Sequence, residues 1–541
     1  MKQKSVLFKI SFLLILIISF TKCSDSKVEQ IKRPNILFAI SDDQSYPHTS
    51  FAGSKFIETP AFDRVAREGI YFTNCFAGSP GCAPSRSSII TGRYHWQNEQ
   101  SGQHQSSWLK KYIPFVDLLE NNGYVTGRTG KGVGPFRYAR DSNDSLWRKT
   151  NAGGIAHSEI LYKNELDERY GNGISKNNYF ENFKHFMENV KKEKPFFFWY
   201  GGYEPHRKYE KGSWKRMGKK LENVEVPGFL PDNAEIRGDL LDYAVEIEWF
   251  DLHLQRMLEY LEKIGELENT IVIVTADNGM PFPRAKANCF EFGTHVPLAI
   301  RYPKNIIGGR IVDDPISFIE FAPTILELTH TSQNGMQPII GESFADILTS
   351  EKDGVVDKNK KYVFAGRERH SSSRYLNWGY PQRVIRSKEY IYIWNIKPER
   401  WPAGAGQKYD SQDTTVLLPM YGLDKNGKYI SNSAFTDIDD CPTKTYIIEN
   451  YEDEYINRFF KLAHDKRSEF ELYNIKKDPD CLNNLARKPK FVFIEEEMKG
   501  ELLQELRRSN DPRVVGPDKE VFDSYKRYAH IRKFPKPAWI K

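Results

Sequence analysis

This sequence has no internal repeat, no low-complexity linker, no large excess of one charge and few cysteines. Without a repeat it is not a stack of like units, and without a linker the 541 residues offer no obvious hinge. Its 78 Lys and Arg against 72 Asp and Glu leave a formal net charge of +6. That surplus is too slight and too mixed to argue for a nucleic-acid partner, yet it is compatible with an anionic polysaccharide. Six cysteines do not make a disulfide scaffold of a chain this long. With 39% hydrophobic and 28% charged residues, the composition is that of a globular protein, and the length favours two domains over one core.

The long apolar run at 10–20 is too short and too early to span a membrane ahead of a domain. Lys2, Lys4 and Lys9 precede it, which makes residues 1–22 an export signal. Cys23 follows, ahead of the polar Ser24-Asp25-Ser26-Lys27. This junction resembles that of a bacterial lipoprotein, in which Cys23 would be lipidated. An exported chain, periplasmic or at the cell surface, would then meet a membrane only through its lipid.

Behind the leader, residues 35–41, 195–200 and 270–276 are unbroken apolar runs of strand length. Helical stretches lie between them, at 59–68, 114–121, 179–192 and 240–264. Fully apolar strands alternating with helices specify an α/β fold whose mostly parallel sheet is covered on both faces, assigned to residues 33–350. A polar motif follows each strand: Asp42-Asp43, Glu204-Pro205-His206 and Asp277-Asn278. In such sheets the site lies beyond the carboxyl ends of the strands, so the three motifs are expected to converge. From 351 to 541 shorter Tyr- and Ile-rich runs, such as 389–394, suggest an antiparallel sheet in a smaller α+β subdomain.

Two groups of residues carry chemistry. Asp42, Asp43, Asp277 and Asn278 offer only oxygen ligands, which favours calcium or magnesium over zinc. Alone, an Asp-Asp pair is a solvated surface and Asp-Asn-Gly is a turn; both pairs here follow buried strands. The second group is the run Cys82-Ala83-Pro84-Ser85-Arg86-Ser87-Ser88-Ile89-Ile90-Thr91-Gly92-Arg93. It places an Arg one helical turn after a reactive sulfur, and its Thr-Gly is set to end a short helix. A guanidinium there could bind two oxygens of an anionic ester in parallel.

That run fills every fixed position of Cys-x-Pro-Ser-Arg-x-x-x-Thr-Gly and resembles the formylglycine-dependent sulfatases. The resemblance covers most of 33–350 and, more weakly, the end of the chain around Phe470-Glu471-Leu472-Tyr473-Asn474. It implies an alkaline-phosphatase-like fold and oxidation of Cys82 to 3-oxoalanine by a sulfatase-maturing, formylglycine-generating enzyme. It also implies calcium held by Asp42, Asp43, Cys82, Asp277 and Asn278, with Gln44 reaching toward the site. Lys131, in Gly130-Lys131-Gly132-Val133, matches the sulfate-contacting lysine of a Gly-Lys-x-His segment whose histidine is missing here. His206 matches a second active-site histidine, as acid to the leaving oxygen or as a sulfate ligand. Lys286 falls where relatives place a cation on the sulfate, with Arg284 a competitor two residues away. If Cys82 is modified, Cys75, Cys289, Cys441 and Cys481 allow three disulfide pairings or remain thiols.

Within the family, Asp277-Asn278-Gly279-Met280-Pro281-Phe282-Pro283 and Tyr203-Glu204-Pro205-His206-Arg207 are similar to the heparan N-sulfatase branch and its bacterial relatives. Gly366-Arg367-Glu368-Arg369-His370 is similar to a substrate-side segment, which marks Arg369 and His370 as sugar contacts. The implied substrate is a sulfated polysaccharide such as ulvan or a glycosaminoglycan, or its oligosaccharides, with O-sulfate ahead of N-sulfate. Two other classes stay open. A phosphatase or phosphodiesterase of the same fold would need a Ser or Thr nucleophile and His metal ligands, which are not evident. A non-catalytic carbohydrate-binding lipoprotein is allowed by the missing histidine.

Overall fold

The apolar run at 35–41 is a strand with all seven residues buried in the computed structural model, which describes residues 32–139, 146–163 and 169–540. The export signal and Cys23 lie outside the described residues. The strands are β1 (Asn35–Ser41), β2 (Ile70–Phe76), β3 (Ser106–Ser107), β4 (Val125–Gly130), β5 (Phe136–Arg137), β6 (Phe196–Gly201), β7 (Thr270–Ala276), β8 (His295–Arg301), β9 (Arg310–Val312), β10 (Ile316–Ser317), β11 (Val363–Arg367), β12 (Gln382–Arg386), β13 (Tyr390–Asn395) and β14 (Phe470–Asn474).

Eight strands form one mixed sheet in the order β10-β2-β8-β7-β1-β6-β4, with β9 paired to β2. Its centre is the expected parallel block: β1 pairs β6 and β7 in parallel, and β6 pairs β4 in parallel. On the other side of β7 the direction reverses, because β8 is antiparallel to both β7 and β2. Alternate side chains of β1 enter two different cores. Ile36, Phe38 and Ile40 pack with Ile89, Phe115 and Phe321, while Leu37 and Ala39 pack with Phe62, Phe183 and Trp249. Helices therefore cover both faces, and each fully buried apolar side chain contributes about 1.5–3 kcal/mol.

The helices fall where the periodicity puts them, with shifted ends. The long one runs Ala234–Lys263, starting before 240 because the Asn233 side chain accepts from the amides of Glu235 and Ile236 at 3.0 and 3.1 Å. The helix expected over 179–192 stops at Glu188. After residue 350, β11, β12, β13 and β14 form an antiparallel sheet in that order. One face carries Ile385, Tyr392 and Leu472 against Met498, Leu502 and Leu506 of helix Val492–Arg508. The other packs Val384, Ile391, Ile393 and Tyr473 onto Cys289 and Phe290. The five described cysteines are buried free thiols, so among the described residues none of the possible disulfides forms. No helix among the described residues is long and apolar enough to cross a membrane.

Candidate active site

The four parallel strands end side by side and deliver the expected motifs to one place. Asp42 and Asp43 follow β1, Asp277 and Asn278 follow β7, Lys131 follows β4, and His206 follows β6. Cys82 opens helix Cys82–Thr91, which is buried along its length. Pro84 sits in the first turn, where the missing amide hydrogen costs nothing. Gly92 closes the helix in a left-handed conformation (φ 66°), its amide bonded to Ser88 O. Gly81, the residue before the helix, is closely packed: a Cβ there would lie 3.0 Å from Nδ1 of His370, so that ring would have to shift.

Three carboxylates meet three cations at this edge. Arg86 donates from Nε to Asp277 Oδ2 at 2.6 Å, Lys286 Nζ bonds Asp43 Oδ2 at 2.6 Å, and Lys131 Nζ bonds Asp42 Oδ2. Asp43 takes a left-handed backbone (φ 74°), and its amide donates to Asp277 Oδ1 at 3.1 Å. Asn278 Nδ2 bridges Asp43 Oδ1 at 2.8 Å and Gly279 O at 3.0 Å. The sulfur of Cys82 and carboxylate oxygens of Asp42 and Asp277 all lie within 4.8 Å of one another. Burial raises the Asp277 carboxyl, and Asp42 raises it further, against Arg86. Asp42 moves the other way: burial opposes ionisation, but Lys131 and its neighbours hold its carboxyl below the usual range. Burial pushes the Cys82 thiol up against the pull of Lys131, so the unmodified sulfur is not a ready thiolate.

Two buried oxygens here have no hydrogen-bond donor among the described residues, Asp42 Oδ1 and Asn278 Oδ1. Buried acceptors without a partner are costly and uncommon. Set beside two further carboxylates, they are a donor set for a hard divalent cation. The residues present therefore fit calcium.

The other predicted residues divide. Lys131 and His206 line a cleft of about 710 Å³ together with Asp42 and Cys82. His206 is tied through Nδ1 to Arg207 O at 2.6 Å, and its Nε2 lies 4.0 Å from Asp43 Oδ2. Lys286, not Arg284, joins the carboxylates; Arg284 points its guanidinium at Leu462 O and Cys481 O. Arg86 is fully buried and spends Nε on Asp277 and Nη1 on Lys131 O at 3.0 Å and Gly132 O at 3.1 Å, while its Nη2 has no hydrogen-bond partner among the described residues. Gln44 spends its amide on Ser41 Oγ and His48 O, both at 2.7 Å, and does not join the site. Arg369 is also placed elsewhere: it is buried and bonded to Tyr525 O and Ser106 Oγ, each at 2.6 Å. That makes it a clamp on the returning C-terminal segment, not a sugar contact. His370 stands behind the cleft, stacked on His104 with ring centroids 5.5 Å apart.

Several residues of the cleft were given no role from the sequence. His104 lines it with Nδ1 unpartnered, and Arg128, Tyr203 and Glu246 form part of the wall. Asp439 arrives from the distant 435–441 loop to bond Lys286 Nζ at 2.9 Å, and Asp43, His206 and Asp439 offer ligand atoms within 4.8 Å of one another. Although burial opposes it, Lys286 holds the Asp439 carboxyl well below the usual range.

An α/β sheet that gathers oxygen ligands, fixed cations and a buried cysteine at its carboxyl edge defines a hydrolase for anionic esters. Residues 34–331 match the sulfatase family, more than half of the chain, and the protein belongs to that family. It is thus a sulfuric ester hydrolase. The chain is 25% identical to N-sulphoglucosamine sulphohydrolase of Homo sapiens over 525 residues, spanning 90% of this chain and 92% of that protein. It is 24% identical to an ulvan-active sulfatase of Formosa agariphila, spanning 89% and 76%. Among solved structures, a protein in complex with its substrate D-glucosamine-2-N,6-O-disulfate is similar with a TM-score of 0.59 at 20% identity, over 90% of this chain and 99% of that one. Phosphonate monoester hydrolase of Agrobacterium radiobacter is similar with a TM-score of 0.61 at 16% identity, over 89% and 97%. At such identities the likeness of structures speaks for the fold alone.

Proposed function

We propose that this sulfatase removes sulfate esters from a sulfated polysaccharide, such as a glycosaminoglycan or ulvan, or from its oligosaccharides. We further propose that it does so after oxidation of Cys82 to 3-oxoalanine by a maturing enzyme. The observation that carries this reading is Cys82 at the start of a buried helix, its sulfur within 4.8 Å of Asp42 and Asp277, each of which is already paired to a cation. Calcium, held by Asp42, Asp43, Asp277 and Asn278 with the side chain at 82, would supply a positive centre for a sulfate oxygen.

One hydroxyl of the hydrated aldehyde at 82 gives up its proton to water in the cleft, and its oxygen forms a bond to sulfur while the bond from sulfur to the sugar oxygen breaks. Lys131 and Lys286, fixed on Asp42 and Asp43, balance the charge that develops there without having to reorganise. The leaving oxygen takes its proton from His206, whose Nδ1 anchor to Arg207 O leaves Nε2 to carry it. The second hydroxyl then gives up its proton, the carbon–oxygen bond to sulfate breaks, and the aldehyde is restored; water re-forms the hydrate. The turn at Gly130-Lys131-Gly132-Val133 supplies no imidazole for that proton. We assign that proton to His104, in the wall of the same cleft with Nδ1 unpartnered, although burial and then the charge of His370 beside it hold its pKa well below the usual range.

The leader and Cys23 support export and attachment by lipid. The likeness to N-sulphoglucosamine sulphohydrolase keeps N-sulfate as the narrower substrate. The test is a panel of matured enzyme against ulvan, carrageenan and heparan oligosaccharides, phenyl sulfate and phenyl phosphonate, read as released anion. Sulfate release from at least one oligosaccharide, lost on chelation and regained with calcium, is the expected result. Turnover of phenyl phosphonate alone would replace the sulfatase reading with that of a phosphonate or phosphodiester hydrolase.

A further inference from the structure

Behind the catalytic turn lie two arginines for which the described residues provide no ion pair. Arg284 is 4% exposed, donating from NH1 to Leu462 O at 3.0 Å and from NH2 to Cys481 O. Arg467 donates from NH2 to Asn288 Oδ1 at 3.0 Å. Both guanidiniums lie on Phe290, 4.0 and 4.4 Å from its ring centroid. Nε of Arg284 and both Nε and NH1 of Arg467 are buried without a hydrogen-bond partner. Burial, and then the charge of Arg467 beside it, push the pKa of Arg284 down. Buried charges are ordinarily paired, because leaving one uncompensated is expensive. Two neighbouring guanidiniums with no carboxylate in hydrogen-bond contact among the described residues are therefore an unbalanced feature.

The same two residues form part of a cleft of about 530 Å³ whose rim adds Arg458, Lys461 and Lys466. Against these five cations stand Asp465 and Glu471. Glu471 is already engaged by Asn395 Nδ2 at 3.0 Å and Tyr473 OH at 3.1 Å. The cleft therefore keeps an excess of positive charge. It also backs directly onto the catalytic turn. Arg284 and Ala287 both have left-handed backbones (φ 69° and 60°) on either side of Lys286. Asn288, which accepts from Arg467, donates from Nδ2 to Lys286 O at 3.0 Å.

We propose that this cleft is a second oxyanion site, separate from the catalytic cleft, which takes a sulfate group, free or carried on a saccharide, and thereby stiffens the 284–288 turn that holds Lys286. Guanidinium and ammonium groups converging from two segments suit a tetrahedral anion with several acceptor oxygens. Nothing in the proposal depends on how Cys82 is modified.

Anion-specific stabilisation tests it, since a ligand that binds the native state raises Tm. The full chain is melted in sodium sulfate and in sodium chloride of matched ionic strength. Three variants accompany the wild type: the catalytic-cleft double variant Cys82→Ala/Lys131→Ala, Arg467→Gln, and the exposed-rim double variant Arg458→Ala/Lys461→Ala. The sulfate increment is expected to persist in the catalytic-cleft variant and to be lost in both of the others. The rim variant keeps the test decisive should Arg467→Gln not fold. Amide exchange at 284–288 is expected to slow in sulfate in the wild type but not in the rim variant. Repeating the titration with a sulfated disaccharide and its unsulfated analogue separates the sources. Saturation at lower concentration than free sulfate assigns a saccharide, and equal or weaker binding assigns the free ion. A sulfate increment that vanishes in the catalytic-cleft variant and survives in the other two overturns the proposal, as does no increment at all.

Discussion

Replacing Arg86 with methionine would test the arrangement from its buried side. Arg86 and Asp277 are both fully buried and joined at 2.6 Å, and Arg86 also satisfies the carbonyls of Lys131 and Gly132 at 3.0 and 3.1 Å. Removing one member of a buried pair costs about 3–5 kcal/mol, because the other is left uncompensated. Gly132 O, which loses its donor, adds on the order of 1 kcal/mol, whereas Lys131 O keeps the indole N–H of Trp199 at 3.0 Å, and methionine refills much of the volume. The sum is roughly 4–6 kcal/mol. An unfolding entropy of about 2.1 cal/mol/K per residue gives roughly 1 kcal/mol per kelvin for a unit of this size. Tm should therefore fall by roughly 4–6 °C in chelator. Calcium on Asp277 would supply the missing positive charge, so the gap between variant and wild type should narrow when calcium is saturating. Calorimetry in chelator and in calcium reads both numbers. A drop under about 1 °C in chelator would refute the buried-pair argument, and an equal drop in both buffers would refute calcium at Asp277.

Cys82→Ala should abolish sulfate release with little change in Tm, because the side chain is small and its loss opens little space; activity above background would refute the nucleophile. Glu291→Gln should remove an acid-sensitive element. Burial alone would raise the Glu291 carboxyl, but Arg386 and His295 bring it from 4.5 to about 2. A depressed carboxyl stabilises above its unfolded pKa and loses that contribution as pH falls through the folded one. Wild-type Tm should therefore drop between pH 4.5 and about 2, and the variant, weaker by roughly 3 kcal/mol at neutral pH, should show a flatter profile. Arg369→Ala should lower Tm and leave KM for an oligosaccharide unchanged, whereas His104→Asn should lower kcat on oligosaccharide and phenyl sulfate alike. A raised KM in the first variant would restore Arg369 as a sugar contact.

The parallel block was legible because strands buried on both faces must be apolar at every position, as at 35–41 and 270–276. β4 was not, since Val125-Thr126-Gly127-Arg128-Thr129-Gly130 has no apolar run. Its glycines answer to neighbours distant in sequence: a Cβ on Gly127 would meet Phe186 at 2.6 Å, and one on Gly130 would meet Gly201 O at 2.2 Å. β8 reads as apolar, but nothing local encodes its reversed direction. At the site, Asp42, Asp43, Asp277, Asn278 and His206 could be placed because each follows an apolar strand, whereas Lys131 follows β4 and was placed by its likeness to the Gly-Lys-x-His segment. Arg369 misled because the groups that take its guanidinium, Tyr525 O and Ser106 Oγ, lie more than 150 residues away in either direction. Asp439 carries no spacing signature, and His104, in Gly102-Gln103-His104-Gln105, shares only a likeness to the heparan N-sulfatase branch; the fold brings both to the cleft.

The central claim, that the nucleophile is built from Cys82, is tested most directly by the mass of the peptide carrying that residue. The protein should come from its native host or be co-produced with a sulfatase-maturing enzyme. Loss of the thiol sulfur and gain of an aldehyde oxygen, trapped by a hydrazine reagent, is the predicted result. An unmodified thiol in protein that releases sulfate would contradict it.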